Sequence, residues 1–467
     1  MKDAISKIMP NNVKRIAKQF YYLVPMKYRM GKKYWELKIF LEQAQWWDRD
    51  RIEEWQLQKL KQIVKYAYEN VPGYYFLYKE AGIKPNDIQT LNDIKFLPFV
   101  AKEMLRDNLE DFTSKIIPKR KRIYVTTGGS TGIPFGFYHT REQGDVEDAF
   151  ISHIWSFAGF SIGRRTAVLR GAFIGTRVKP FDISISKLYE ALLLSSYYLT
   201  DDTYHIYREK ILAFRPLFFH VYPSAITLLA DLMIAHGDSG IFNFVEAILT
   251  ASENLYEWQK EKIRKVFPNS RIFDFYGHAE RVILASMCEY SDRYHIWPFY
   301  GFTEILDEEG REVKEGEIGE LIGTSFWNYA TPFIRYRTMD MAKKGKFGCD
   351  KCGRQFQLLE RIEGRIHEFI VTKAGRYISM TAINMHDDIF DNVKQFEFYQ
   401  DTPGKVIFKV VKKDTYTEKD TEKIYRGLKR KLGEDMDLEI VFVDTIPRTE
   451  SGKYRFLDQR LELKYGE

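Results

Sequence analysis

The N-terminal part of the chain places its hydrophobic residues at helical spacing. Between residues 34 and 115, apolar residues recur every three or four positions, and the clearest stretch is RIEEWQLQKLKQIVKYAYENV at 51–71. Pro72 follows that stretch, and a proline cannot continue a helix interior, so the helix is predicted to end there. We therefore expect a helical N-terminal region of the large domain over residues 1–115.

From about residue 121, short apolar runs alternate with amphipathic stretches. The predicted strands are RIYVTT (122–127), TAVLRGA (166–172), PLFFHVY (216–222), FVEAILTAS (244–252) and RIFDFYG (271–277). The predicted helices between them cover residues 141–160, 223–237 and 255–267. Strands separated by helices are typical of an α/β domain with a largely parallel sheet.

Beyond residue 290 the strand-like runs are no longer separated by helices. They predict a β-subdomain within a core that covers residues 116–363. Residues 366–467 again mix strands with helices and predict a small α+β domain, joined through a hinge near 364–368. The expected fold class is α/β, with a large N-terminal domain of parallel sheets and a β-subdomain, and a small C-terminal domain.

The composition is that of an ordinary folded protein and excludes few functions. Of 467 residues, 45% are hydrophobic and 29% charged, and the net charge of +6 does not indicate nucleic-acid binding. Three cysteines, an odd number, argue against a disulfide framework. No segment has the roughly 18 to 20 apolar residues of a membrane span, and the first residues lack the apolar core of a signal peptide. A cytoplasmic location is expected.

The N-terminal 33 residues are strongly basic, with aromatic residues interleaved and Asp3 as the one acidic residue. Such an arm can rest on an anionic membrane surface, as a peripheral contact at the inner membrane face. The alternative, a solvated basic arm packed on its own protein, is favoured because charged stretches usually serve solubility.

A stretch rich in Gly, Ser and Thr, TTGGSTGIPFGF at 126–137, directly follows the strand predicted at RIYVTT. Unhindered backbone of this kind can turn its N–H groups around an anion, so a phosphate-binding loop is expected. No Lys follows the second glycine of GSTGIP, which excludes a P-loop, and the spacing differs from the dinucleotide-binding fingerprint. A glycine-rich hairpin turn is the alternative.

Four more stretches follow this loop in order. They are FYGHAE (275–280), FIRYRTMD (333–340), RIEGRIHEF (361–369) and IPRTESGKYRF (446–456). With the loop they resemble the motifs of the adenylate-forming superfamily, which includes acyl-CoA synthetases, luciferases and carrier-protein adenylation domains. YAYENVPGYYFLYKEAG, VYPSAITLLA and ASENLYEWQ resemble its branch of phenylacetate–CoA ligases and related capsule-polysaccharide biosynthesis proteins.

This resemblance implies a two-step reaction. A small carboxylic acid joins the α-phosphorus of ATP, pyrophosphate leaves, and the acyl group passes to a second nucleophile, with Mg²⁺ as cofactor and a mobile C-terminal domain. The acceptor stays open between the thiol of CoA or of a carrier protein and an amine or hydroxyl on a sugar. Aromatic residues in GAFIG and FFHVYPS suggest an apolar or aryl acid.

The resemblance also assigns a nucleotide site. Tyr276, beside Gly277, stacks on the adenine; Glu280 holds Mg²⁺ and counts as catalytic; Asp340 binds the ribose hydroxyls, which Arg365 also approaches. The loop residues implied to hold the β- and γ-phosphates are Thr126, Thr127, Gly128, Gly129, Ser130, Thr131 and Gly132.

Lys453 in IPRTESGKYRF is implied to be the second catalytic residue. It enters the site with the C-terminal domain, bridges the substrate carboxylate and the α-phosphate, and stabilises the charge of the transition state. Ser252 is implied to lie beside the adenine and acyl pockets. Three positions depart from the common motifs: Ala279 replaces Thr, Met339 replaces Gly, and His367 replaces the Asp or Lys of the hinge.

The departures motivate a second hypothesis, a nucleotide-binding scaffold or partner subunit that has lost the chemistry. Retention of Glu280, Asp340, Arg365 and Lys453 argues against it.

All the cysteines of the chain can belong to one metal site. Cys349 and Cys352 have the two-residue spacing of a zinc knuckle, and Cys288 with His295 precedes them in the predicted β-subdomain. Three Cys and one His form a closed tetrahedral set, so a structural Zn²⁺ is expected. Two buried thiols without metal are the alternative, and a redox pair is disfavoured because no thioredoxin-like context surrounds it.

Overall fold

The computed structural model describes residues 24–126, 135–170, 181–365, 368–375, 377–380, 383, 388–448, 454–461 and 463. The helices are α1 Met26–Arg29, α2 Lys32–Ala44, α3 Arg49–Asn70, α4 Pro72–Glu80, α5 Lys102–Asp107, α6 Arg141–Ser156, α7 Tyr204–Phe214, α8 Pro223–Ala235, α9 Glu257–Val266 and α10 Glu418–Leu432. The strands up to residue 296 are β1 Arg122–Thr126, β2 Gly136–Thr140, β3 Arg165–Arg170, β4 Phe181–Ile185, β5 Glu190–Ser195, β6 Phe218–Val221, β7 Ala247–Ala251, β8 Arg271–Gly277, β9 Leu284–Ser286 and β10 Tyr294–Ile296. The later strands are β11 Gly301–Leu306, β12 Ile318–Ser325, β13 Tyr336–Phe347, β14 Gln357–Arg365, β15 Phe369–Val371, β16 Tyr377–Ser379, β17 Val393–Thr402, β18 Lys405–Lys412, β19 Asp437–Phe442 and β20 Leu457–Gln459.

One twelve-stranded sheet carries most of the chain, in the order β11-β12-β13-β14-β10-β9-β8-β7-β6-β3-β5-β4. Strands β5, β3, β6, β7 and β8 are parallel to one another, as the alternation of strands and helices predicts. The strands of the predicted β-subdomain form the antiparallel half of the same sheet, because β9 pairs with β8 and β10 pairs with both β9 and β14. The α/β fold class is confirmed.

The sequence pattern missed three elements of this sheet region. Strands β4 and β5 form an antiparallel edge, and α7 follows them before β6. Each element is short, and α7 mixes polar and apolar residues, so the sequence shows neither a clear helical period nor a clear strand alternation there. The helix predicted at 141–160 ends at Ser156, where the chain turns into β3 through a glycine at φ +85° (Gly159).

The N-terminal helices pack on one face of the sheet. Asp48 caps α3 by accepting a hydrogen bond from the Arg51 N–H (2.9 Å), which fixes the start of the longest helix. Tyr34 on α2 bonds to Ser152 on α6 (2.8 Å), and both side chains are buried. Buried residues of α2 to α5 share one hydrophobic cluster with α6 and strands of the sheet, while helices α7, α8 and α9 contribute to a separate cluster with other strands.

A buried ion pair fixes the segment before α5 to the sheet. Arg335 and Glu304 are both buried and lie 3.0 Å apart, Nη2 to Oε1. Nη1 of Arg335 donates to the carbonyl oxygens of Lys95 and Leu97, each at 2.7 Å. The guanidinium thus has acceptors on two sides, and removing it would leave a carboxylate buried without its cation.

We expect Arg335→Met to lower the free energy of unfolding by about 3–5 kcal/mol, because an uncompensated buried charge costs that much. Chemical denaturation of the two proteins measures the difference. The matched control is Arg311→Met, since Arg311 pairs with Asp307 in an exposed position, where water screens the charges and the pair adds little to stability. Equal losses in the two variants would contradict the prediction.

The C-terminal part forms its own four-stranded sheet in the order β19-β18-β17-β20, and α10 contributes to its hydrophobic core. Phe456 packs edge-on against Tyr256 of the large sheet region, with ring centroids 5.4 Å apart. The mixture of strands and a helix agrees with the predicted α+β composition. The exact division at 364–368 stays a prediction. Among the described residues, no helix combines the length and the apolar character needed to cross a membrane.

Candidate active site

A cavity of about 1280 Å³ opens at the carboxyl ends of the parallel strands. This edge of an open α/β sheet is where ligands usually bind. Six of the predicted site residues line it, although they come from four separate parts of the sequence. They are Ser252, Tyr276, Gly277, Glu280, Asp340 and Arg365. Ser252 turns the chain directly after β7 with φ +72°, a left-handed conformation that is uncommon outside glycine.

Asp340 lies between two other predicted nucleotide contacts. Its Oδ2 accepts a hydrogen bond from the Tyr276 hydroxyl (2.7 Å), and its Oδ1 lies 3.3 Å from Nε of Arg365. The β13–β14 register places Asp340 directly opposite Arg365. Burial and the neighbouring Asp340 carboxylate raise the pKa of Tyr276, so its hydroxyl stays protonated and donates. The three side chains form one hydrogen-bonded wall of the cavity.

Glu280 is a buried carboxylate that stays ionised. Burial alone would raise its pKa, but hydrogen bonding to His278 and the charges of His278 and Arg365 outweigh burial and lower the pKa to about 2. Oε2 lies 3.2 Å from His278 Nδ1, and Oε1 accepts a hydrogen bond from the Tyr336 hydroxyl (3.0 Å). A carboxylate ionised at every working pH suits cation binding and does not suit general acid–base catalysis.

Two residues of the surrounding motifs, Gly364 and Met339, have positive φ angles, a backbone conformation that favours glycine. Gly364 has φ +96°, and a Cβ there would lie 2.1 Å from Oε2 of Glu368, so only glycine fits. Met339, at the motif position that is glycine in the resembling family, also adopts a left-handed conformation with φ +61°. Its side chain packs against a small cluster with Phe369 and Leu463, contacts that a glycine would lack. The departure at Met339 therefore affects backbone strain and packing, and leaves Asp340 in place.

Part of the predicted phosphate loop lies outside the described residues. Thr126 ends β1 and pairs with Gly136 of β2, so the loop joins the two strands of an antiparallel hairpin. Thr126 is not among the described residues that line the cavity. Residues 127–132, His367 and Lys453 lie outside the described ranges, and their roles stay predictions.

The four predicted zinc ligands converge, although about 60 residues separate the two pairs in sequence. Their ligand atoms all lie within 4.8 Å of one another, and Cys288, His295 and Cys349 are buried. Nδ1 of His295 donates to the carbonyl oxygen of Arg293 (3.2 Å), which leaves Nε2 facing Sγ of Cys352 at 3.3 Å. A histidine ligand is commonly oriented in this way by a carbonyl behind it.

Backbone and side-chain hydrogen bonds support the residues around the four predicted ligands. The N–H of Gly353 donates to the carbonyl oxygen of Cys349 (2.8 Å), and the N–H of Tyr290 points at Sγ of Cys288 (3.4 Å). Next to Gly353, the buried Arg354 donates to Gln45, the residue that follows α2 (3.0 Å), and to Glu289 (2.6 Å). All three thiols are free, and the donor set and its supports fit a tetrahedral Zn²⁺.

Sequence reasoning did not find a group of polar residues at the other end of the cavity. Arg170 ends β3, His220 lies on β6, and Tyr189 precedes β5, and all three line the cavity. Arg170 and His220 sit in runs that look like ordinary buried strands. The polar residues inside those apolar runs were the available signal, since a charged residue is seldom fully buried without a reason.

Comparisons with known proteins agree with this geometry. The family described as the CapK C-terminal domain matches residues 370–459. The chain is 24% identical to phenylacetate-coenzyme A ligase of Escherichia coli (strain K12) over 431 residues, 88% of this chain and 95% of that enzyme. It is 24% identical to Protein CapK of Staphylococcus aureus over 443 residues, 92% of this chain and 93% of that protein.

A solved structure gives the same result for the fold. The structure of 2-hydroxyisobutyryl-CoA ligase in the postadenylation state, in complex with R3-HIB-AMP, has a TM-score of 0.72 and 19% sequence identity, and the match covers 89% of this chain and 91% of that one. The sequence resemblance and the convergence of its motif residues in one cavity point the same way. Over most of its length the chain resembles the phenylacetate–CoA ligase-like branch of the adenylate-forming ligases, and it has the fold of a solved CoA ligase.

Proposed function

We propose that this protein activates a small carboxylic acid with ATP and transfers the acyl group to CoA. The observation that carries the proposal is the convergence of Tyr276, Glu280, Asp340 and Arg365 on one cavity. In the first step a carboxylate oxygen of the acid attacks the α-phosphorus, and the bond to the leaving pyrophosphate breaks. In the second step the thiol sulfur attacks the acyl carbonyl, its proton is lost, and AMP leaves.

Each residue has a defined part in this proposal. Tyr276 stacks on the adenine, and Asp340, held by Tyr276 and Arg365, accepts hydrogen bonds from the ribose. Glu280, which is ionised, would hold Mg²⁺, and a bound Mg²⁺ neutralises phosphate charge in the transition state. Lys453 would bridge the acid and the α-phosphate once the C-terminal domain, residues 366–467, rotates about 364–368.

Two further assignments belong to the proposal. Cys288, His295, Cys349 and Cys352 would hold a structural Zn²⁺ and tie the β9–β10 segment to the turn between β13 and β14. The resemblance to capsule-polysaccharide biosynthesis proteins and the similarity to Protein CapK support an amine or hydroxyl of a surface sugar as the alternative acceptor.

The test is carboxylate-dependent ATP–pyrophosphate exchange, with a panel of aryl, fatty, hydroxy and dicarboxylic acids. We expect one class of acid to support exchange, and Lys453→Ala to lower the rate by about 100-fold or more, because a charge aimed at the transition state is lost. The matched control is Lys405→Ala, since Lys405 is an exposed lysine of the same C-terminal domain.

Exchange that survives unchanged in Lys453→Ala would contradict the assigned role. No exchange with any acid, in a protein that binds ATP, would favour the nucleotide-binding scaffold instead.

A further inference from the structure

The end of the cavity away from the nucleotide wall contains a buried cation. Arg170 is the last residue of β3. Two strands, β6 and β7, lie between β3 and the strand β8 that carries Tyr276, so three strand spacings of the usual size separate the two strands, about 14 Å. Burial lowers the pKa of the Arg170 guanidinium, as expected for a charge taken out of water. The side chain lines the cavity, so a ligand there can reach it.

Arg170 has no counter-ion in the part of the chain that the structure describes. Its Nη2 lies 2.5 Å from Nε2 of His220, and its guanidinium lies 4.9 Å from the centre of the Tyr222 ring. Its Nε is buried and has no hydrogen-bond partner among the described residues. Burying a guanidinium beside one neutral acceptor carries a desolvation penalty, and an anionic ligand in the cavity would offset it.

His220 and Tyr189 extend the donor group. Burial and the charge of Arg170 lower the pKa of His220 well below its usual value, so its ring is neutral. Nε2 therefore accepts from Arg170, and Nδ1–H donates to the Tyr189 hydroxyl oxygen at 3.2 Å. Burial raises the pKa of Tyr189, which keeps the phenol protonated and able to donate its own hydrogen to a ligand in the cavity.

The carboxylates that line the same end already have other partners. Asp148 lies 3.6 Å from Nζ of Lys187. Glu253 accepts from the N–H and the hydroxyl of Ser224, at 2.9 and 3.0 Å, where it holds the first turn of α8. The charge of Glu253 raises the pKa of Arg170, an effect smaller than that of burial. Neither carboxylate lies within ion-pair distance of Arg170.

We propose that Arg170 and Tyr189 bind a second anionic group of the acid, so that the substrates are acids with a further carboxylate at the end remote from the reacting one. This inference rests on the proposed function and names its substrate class. The side walls of Trp155 and Tyr222 leave room for a hydrocarbon segment between the two carboxylates. This inference replaces the expectation of a purely apolar or aryl acid. That expectation rested on GAFIG, which lies outside the described residues, and on FFHVYPS, of which Tyr222 and His220 line the cavity.

The test compares acids in matched pairs, butyrate with succinate and glutarate, and phenylacetate with carboxyphenylacetate. In the native protein, we expect the diacid of a pair to support ATP–pyrophosphate exchange with a kcat/KM at least 30-fold above that of the monoacid. Arg170→Gln should lower kcat/KM for the diacid about 30-fold, mainly through KM, and leave KM for ATP unchanged, because hydrogen bonds to charged groups contribute on this scale.

Two variants keep the test sharp. Arg165→Gln is the matched control, since Arg165 begins the same strand, is exposed and bonds to the carbonyl oxygen of Phe214; it should leave the preference unchanged. Tyr189→Phe removes one donor and should weaken diacid binding several-fold, which preserves a readout if Arg170→Gln fails to fold. Calorimetric binding of succinate or glutarate without ATP measures the anion site independently of turnover.

The outcomes separate the two proposals. Monoacids that equal their diacids in the native protein, or an Arg170→Gln variant with unchanged preference, would overturn the inference and leave the adenylation proposal intact. A higher KM for ATP with every acid would also overturn it and would assign Arg170 to the nucleotide. Diacid binding that depends on Arg170, without any exchange, would support the anion site and contradict the proposed function.

Discussion

Glu280→Gln is expected to lower acid-dependent ATP–pyrophosphate exchange by about 100-fold or more. Glutamine keeps the shape of the side chain and can still accept from Tyr336, but it removes the negative charge that a cation needs. The hydrogen bonds of His278 and Tyr336 hold this carboxylate at the cavity. Because its pKa is about 2, the charge is present above pH 5 and is lost only as the pH falls toward 2.

Two measurements identify the cause of this loss. The concentration of Mg²⁺ that gives half-maximal exchange should rise in Glu280→Gln, since the variant has lost a cation ligand. Asp340→Asn is the matched isosteric change on the same cavity, and we expect it to raise KM for ATP about 10-fold or more while the Mg²⁺ requirement stays constant. A Glu280→Gln rate within threefold of the native rate would refute the assignment to magnesium.

The native protein should show no rate change between pH 5.5 and 8 that depends on Glu280. If Glu280 itself titrated between pH 5.5 and 8 and controlled the rate, the Glu280→Gln variant would lose that pH dependence and its pH–rate profile would be flatter. We expect the two profiles to have the same shape and different heights, because Glu280 is fully ionised across this range.

The residues that local motifs identify came together as expected. Tyr276, Glu280, Asp340 and Arg365 are far apart in sequence and line one cavity. Tyr276, Glu280 and Arg365 lie at or just after the end of a strand, and Asp340 lies within β13 opposite Arg365. The three cysteines and His295 converge for a similar reason, since β10 pairs with β9 on one side and β14 on the other. Motif order was sufficient to predict the grouping, without any knowledge of the register.

What the sequence did not predict depends on long-range pairing. Nothing in the run GFTEILDEEG shows that β11 and β12 continue the same sheet as β8, because strand order is decided by contacts between distant segments. The sequence did not predict that Arg170 and His220 meet in the cavity, for the same reason. Each belongs to a different strand, and only the β3–β6 register brings the ends of those strands together.

The left-handed conformation of Met339 shows a further limit of motif matching. A sequence comparison records the change from glycine as a departure that puts catalysis in doubt. In the structure, φ of +61° costs about 1–2 kcal/mol for a residue with a side chain, while the methionine side chain gains contacts in a cluster with Phe369. The neighbouring Asp340 keeps its contacts with Tyr276 and Arg365, so this wall of the cavity does not depend on glycine at position 339.

Removal of zinc is expected to lower the thermal stability of the protein by a large amount. We expect the purified protein to contain one zinc ion per chain, and a strong chelator to lower the midpoint of thermal unfolding. The reason is that a metal bound only to the folded state stabilises it by about 4 kcal/mol when its free concentration is 1,000 times Kd. Metal analysis and a thermal melt with and without chelator measure both quantities.

Substitution distinguishes a metal site from a cluster of buried thiols. Cys349→Ser removes one ligand and should abolish stoichiometric zinc, while Lys351→Ser, an exposed change two residues away in the same turn, should keep it. The three thiols should resist a thiol reagent in the native protein and react after chelation, because the metal binds them as thiolates. Thiols that react at once, in protein free of zinc, would favour the alternative of a metal-free cluster. Since Arg354 beside the turn bonds to Gln45 at the C-terminal end of α2, we expect loss of the metal to loosen the contact between this turn and the N-terminal helices as well.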